Sequence, residues 1–170
     1  MFRFVALSLF VFVFTNIAFA QKTVTTKTFG DFSFDFPNAT WRVTSKADES
    51  NCEAVYGDRM DGYLQFRKIA VSGDATFTNV VDREQNQKLQ FLPSFVNGKD
   101  EDFKGNLEGK VINYEFTQSG KPMIGRAYFL AAEDNKMVYV LRFTGLRDKL
   151  RLLRNQTDSI ARTFKVKAAK

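Results

Sequence analysis

Arg147, Arg151 and Arg154 follow one another at i, i+4 and i+7, the spacing that sets three side chains in one row along a helix, and Arg162 extends that row beyond Asp158. A guanidinium is planar, permanently charged and forked, so such a row suits phosphate and carboxylate groups. The row sits in a strongly basic stretch. Residues 142–170 hold nine Lys and Arg against Asp148 and Asp158, a net +7, whereas residues 21–141 hold fifteen against seventeen, a net −2. A face of this kind either contacts an anionic partner (lipid headgroups, a cell-envelope polymer or an acidic protein) or only solvates the helix that carries it.

The other chemistry-bearing residues give less. The 170-residue chain has no histidine and one cysteine, which excludes Ser-His-Asp and Cys-His nucleophile systems and His-ligated zinc, copper or haem. Asp100-Glu101-Asp102, with Asn97 and Gly98 nearby, offers oxygens for calcium but lacks the loop spacing and closing glutamate, so it reads as a polar turn. Asp58 and Asp61, just before Gly62, read as turn formers. Cys52 falls in the polar stretch 46–53, a loop by composition, where an unpaired thiol is either incidental or the partner in an intermolecular disulfide. No metal, cofactor or catalytic residue is expected, and the chain is not expected to be an enzyme.

The N-terminus says where the protein goes. Arg3 supplies a short positive region, Phe4–Phe14 is an apolar run, and Ala18-Phe19-Ala20 forms an A-x-A cleavage site before Gln21. The run is shorter than the ~20 residues of a membrane-spanning helix, and Gln21 stands where a lipoprotein would need cysteine. Residues 1–20 are therefore expected to be a signal peptide cleaved between Ala20 and Gln21. Residues 21–170 would form a single domain in the periplasm or outside the cell. That compartment makes nucleic acid an unexpected partner; contact with a membrane surface is compatible with the basic row. Without the leader the chain keeps twenty-four basic against nineteen acidic residues, net +5, and thirteen phenylalanines in 150 residues.

The elements that must position these residues follow from periodicity. Residues 22–29 read as an edge strand, and Phe32-Ser-Phe-Asp-Phe36 alternates so that three rings share one face. Short strands are expected at 41–44 and 54–56, and a longer one at 63–71. Thr78 is the expected N-cap of a weakly amphipathic helix running to Leu92, before Pro93. A short strand near 103–107 precedes a meander at 110–117, 123–131 and 137–144. The last two strands are apolar at both parities (Tyr128-Phe-Leu-Ala131 and Met137-Val-Tyr-Val-Leu141), so both faces of the sheet should be covered there. Leu146, Leu150, Leu153, Ile160 and Phe164 predict one closing helix over 146–163 with a continuous buried stripe.

The order of strands, helix, meander and long closing helix carries a resemblance. The F-x-F-D-F-P segment ending at Pro37, Trp41 four residues later, V-Y-V-L-R-F-T-G, and the ending Asp158-Ser-Ile-Ala-Arg-Thr-Phe164 together resemble the PsbP-like superfamily. Its members include an extrinsic photosystem II subunit, a nuclear Ran-release factor and exported bacterial proteins of unknown role. The resemblance covers most of residues 29–166 and implies an α+β fold: an α/β/α sandwich with a central antiparallel sheet covered by helices on both faces. It carries no functional residue across, because the metal-binding histidines of photosynthetic relatives have no counterpart here. The expected function is that of an exported, non-catalytic binding or accessory protein using the basic C-terminal helix. The alternative is a carrier holding a small apolar ligand or lipid between sheet and helix.

Overall fold

The computed structural model describes residues 24–44 and 51–167; the expected signal peptide and its Ala20–Gln21 cleavage site lie outside the described residues. A seven-stranded antiparallel sheet is built from β3 (Trp41–Val43), β4 (Asn51–Tyr56), β5 (Gly62–Ala70), β6 (Val96–Lys104), β7 (Glu108–Gln118), β8 (Lys121–Ala131) and β9 (Met137–Leu146), in the order β3-β4-β5-β9-β8-β7-β6. A second, three-stranded sheet has β2 (Phe32–Phe36) between β1 (Thr25–Phe29) and β10 (Lys165–Val166). The sequence does not announce this sheet, because its second ladder, β10 on β2, is only two residues long. The α+β class holds.

The two-parity apolar pattern has the expected cause. Along β8, Tyr128 and Leu130 enter one buried cluster, while Ala127 and Phe129 enter another. The first cluster holds Phe32, Phe34 and Phe36 of β2 together with Leu150, Ile160 and Phe164. Here the Phe32 ring lies 4.0 Å from Phe66 of β5, and Phe36 stacks on Trp41 at 5.8 Å. Each fully buried ring contributes roughly 1.5–3 kcal/mol, so β2 is held by its aromatic face as much as by hydrogen bonds. The second cluster joins Val80, Val81 and Leu89 to Ile112, Phe129 and Val140.

Val80 and Val81 belong to α1 (Phe77–Glu84). Its N-cap is Thr76 rather than Thr78: the Thr76 hydroxyl accepts from Asn79 N–H, and the Asn79 side chain accepts from Thr76 N–H at 2.8 Å. This reciprocal capping box requires an acceptor three residues after the cap, which Thr76 has in Asn79. A π-helical turn, Gln85–Leu89, continues the helix toward Pro93. Buried Glu84 pairs with Arg67 of β5 at 2.7 Å and with Lys88 at 2.6 Å, tying α1 to the sheet. Burial works to raise the Glu84 carboxyl, but the Lys88 and Arg67 hydrogen bonds outweigh it and hold the group below the usual carboxylate range.

Four further expectations need correction. The closing helix is not continuous: β9 runs to Leu146, and α2 (Arg147–Leu152) meets α3 (Arg154–Thr163) at Leu153, whose φ −91° and ψ 2° break the helical repeat. Leu146 stays extended because its N–H donates to Met60 O at 2.7 Å, and it packs with the α1 cluster rather than with Leu150. The strand expected at 103–107 is β6, Val96–Lys104, an edge strand with a bulge between Asn97 and Asp100. Asp100-Glu-Asp102 therefore lies on a strand and not in a turn. Cys52 is on β4, fully buried against the aromatic cluster, where burial first and Glu53 second push its thiol up to about 12. The turn formers are as expected, with the Asp58 carboxylate accepting from the N–H groups of Met60 and Asp61 at 2.6 and 3.0 Å.

Candidate functional site

The arginine row spans the α2–α3 junction and lies beside β6 and β7. Arg147 is 2.5 Å from Glu115 of β7, Arg151 is 3.7 Å from the other oxygen of the same carboxylate, and Arg154 is 3.5 Å from Glu101 of β6. Arg162, at the far end of α3, donates to Lys104 O at 2.7 Å and sits 5.4 Å over the Phe103 ring. Three guanidiniums therefore share two carboxylates while Arg162 is held by a carbonyl and a ring, and the Arg151 and Arg154 side chains remain 65% and 57% exposed. The bend at Leu153 replaces the single straight row with two short segments facing the same sheet edge. Between them and the sheet is a groove of about 200 Å³, with Asn113, Glu115, Ile124, Arg151 and Arg154 among its walls.

Beneath the row lies a residue that sequence reasoning missed. Arg126 of β8 is buried, and its guanidinium donates to the Tyr128 hydroxyl at 3.0 Å, Asn113 Oδ1 at 2.9 Å and Asp158 Oδ1 at 2.8 Å. The Tyr128 hydroxyl also donates to Asp158 and lies 3.1 Å from the Thr157 hydroxyl. Burial works to lower the Arg126 pKa; the Tyr128 and Asp158 oxygens outweigh it and raise it above its ordinary value. Burial is also the main cause of the raised Tyr128 pKa. This network fixes α3 on the sheet and so sets the height of the exposed arginines. The only signal for it in the sequence is a basic residue inside an otherwise apolar strand.

A second tie runs from α3 to the β2–β3 corner. Gln156 Oε1 accepts from the Trp41 indole at 3.0 Å and from Asn38 at 2.9 Å. Asp100 pairs with Lys110 at 3.2 Å, so that carboxylate works across a strand pair. Among the described residues no group of three or more His, Cys, Asp or Glu converges as a metal site would require. No helix among them is long and apolar enough to cross a membrane.

Neither the protein-family models nor the curated protein sequences yield a match to this chain. Solved structures do. Cyanobacterial PsbP (CyanoP) from Synechocystis sp. PCC 6803 is 12% identical with a TM-score of 0.62, over 89% of this chain and 97% of that one. LpqN of Mycobacterium tuberculosis, described as involved in cell envelope biogenesis, is 17% identical with a TM-score of 0.59, over 85% and 91%. The Ran-binding protein Mog1p of Saccharomyces cerevisiae is 7% identical with a TM-score of 0.60, over 85% and 96%. At such identities the likeness concerns the course of the backbone and not the chemistry on it. Together with the sheet order and the two-faced core, it establishes that this chain has the PsbP-like fold.

Proposed function

We propose that the chain is an exported, non-catalytic accessory protein: a single domain, residues 21–170, behind a cleaved leader. In this reading its α/β/α layering serves to present the α2–α3 face to an anionic partner. The observation that carries the reading is the charge count on that face. Glu115 and Glu101 leave the four guanidiniums of Arg147, Arg151, Arg154 and Arg162 in excess, beside a groove open to solvent. The internal pairs orient the side chains, and the excess is available to phosphate or carboxylate groups. Two structural neighbours support a binding role by what their descriptions say of them, one Ran-binding and one involved in cell envelope biogenesis.

The test is sedimentation with phosphatidylglycerol vesicles across a salt series. Replacing Arg147, Arg151 and Arg154 with Gln should abolish salt-sensitive binding. Unchanged binding by the triple variant would remove the proposal. The alternative, a carrier holding a small apolar ligand or lipid between sheet and helix, has less support, since the two concavities described for these residues are open and carry arginines.

A further inference from the structure

On the opposite side of the sheet, α1 leaves part of the surface uncovered, and a concavity of about 550 Å³ opens there. Its floor comes from alternate residues of the central strands: Gln65 of β5, Arg142 and Thr144 of β9, and Met123 of β8. One wall is the β4–β5 turn carrying Arg59 and Met60; the other is Leu92, Pro93, Phe116 and the β7–β8 turn.

The walls are tied down. Leu146 N–H donates to Met60 O at 2.7 Å, and Thr117 N–H donates to Pro93 O at 2.7 Å. Gly145 is required where the first wall meets β9, since a Cβ there would lie 2.7 Å from Asp61 O. The hollow is thus preformed, and its size is within the ordinary range of small-molecule sites.

Its electrostatics name the ligand class. Arg142 is half-buried on a central strand, and its Nε–H is committed to the Tyr114 hydroxyl at 2.8 Å, which fixes the plane of the guanidinium. Arg59 lies 4.0 Å over the Tyr63 ring at the rim. Among the described residues neither arginine has a carboxylate within salt-bridge distance, although Arg67, Lys68, Lys88, Arg126 and Lys110 all do. Glu53, whose cross-strand partner is Gln65, acts on the Tyr63 hydroxyl beside them. A partly desolvated guanidinium held in a fixed plane without a salt-bridged carboxylate is half of an ion pair. Phe116, Met123, Leu92 and Met60 give the rest of the cavity an apolar surface.

We propose that this hollow is a binding site for a small organic acid with an apolar body, its carboxylate received by Arg142 and Arg59 and its body resting on Phe116 and Met123. It lies on the face opposite the α2–α3 arginines and does not depend on the function proposed for them.

The experiment is NMR titration of the ¹⁵N-labelled protein with 4-phenylbutyrate, and with 4-phenylbutan-1-ol as the uncharged counterpart. The acid should shift the amides of Gln65, Thr117, Gln118 and Thr144, and the Arg142 Nε–H, while the alcohol binds at least about tenfold more weakly, as loss of a charge-assisted contact implies. Arg142→Gln should weaken the acid about tenfold and leave the alcohol unchanged. Arg59→Gln, on an exposed turn, should weaken the acid as well without disturbing the fold, so a folding defect in the first variant would leave the second decisive. Equal binding of acid and alcohol, shifts confined to α2–α3, or the absence of any shift at millimolar acid would overturn the proposal.

Discussion

Asp158→Ala should be among the most damaging single changes on α3, and its cost can be worked out. Among the described residues the carboxylate is the one anionic partner of Arg126, whose side chain is 8% exposed, at 2.8 Å. Removing one partner of a fully buried pair costs about 3–5 kcal/mol, because the remaining charge is stranded. Two features reduce that figure: the Asp158 side chain keeps 27% exposure, so water can reach the vacated place, and Arg126 retains neutral acceptors in Asn113 and Tyr128. A loss of about 2–3 kcal/mol is expected, or roughly 5–10 °C in Tm for a chain of this length. Urea unfolding followed by Trp41 fluorescence is a direct assay, since Trp41 is the only tryptophan and its indole is bonded to Gln156 on the same helix. The double variant Arg126→Met/Asp158→Ala should lose less than the sum of the singles, with a coupling of about 1 kcal/mol or more. A loss below about 0.5 kcal/mol in Asp158→Ala, or strict additivity in the double variant, would refute the claim that this pair anchors the helix.

Two further outcomes follow from buried ionisable groups. Glu84 has its folded pKa depressed, so its contribution is present in full above the unfolded value of about 4.3 and is lost as pH falls through the folded value. Glu84→Gln should therefore be less stable than wild type at neutral pH, with the difference shrinking below about pH 4; parallel acid limbs in equilibrium unfolding would contradict this. Cys52, with its thiol pushed up to about 12, should resist iodoacetamide in the native protein at mildly alkaline pH and react at once in urea. A dimer on a non-reducing gel of native protein would count against that burial.

What could be read from the residues, and what could not, divides along physical lines. Phe32, Phe34 and Phe36 alternate because β2 buries one face only, and β8 and β9 lose alternation because clusters on both sides claim their residues. Those patterns are local and survive in one dimension. The true span of β6 leaves no apolar signal, because an edge strand with one exposed flank can be built from Asn, Lys, Asp and Glu without any apolar period. The break at Leu153 was hidden because Leu150, Leu153 and Ile160 all remain buried on either side of it, so the apolar stripe continues where the helix does not. The arginine row was legible as charge, but its acidic partners, Glu115 and Glu101, come from strands more than thirty residues earlier. Arg142 was legible only as one more cation in a basic segment. Strand parity sends it to the face opposite the others, and that parity is set by the register of β9 on β5 rather than by any local pattern.

The small sheet also bears on timing. β2 stands near the front of the chain, yet one of its two ladders comes from Lys165 and Val166, with Lys167 N–H closing on Asp31 O at 2.6 Å. Phe164 adds its ring 5.8 Å from Phe32. The order of synthesis thus runs against the order of completion: the hairpin made first cannot be finished until the last residues arrive. A chain with so distant a closure folds late and slowly. In the exported protein proposed above, that delay would leave the front of the chain open for threading until its final residues have crossed.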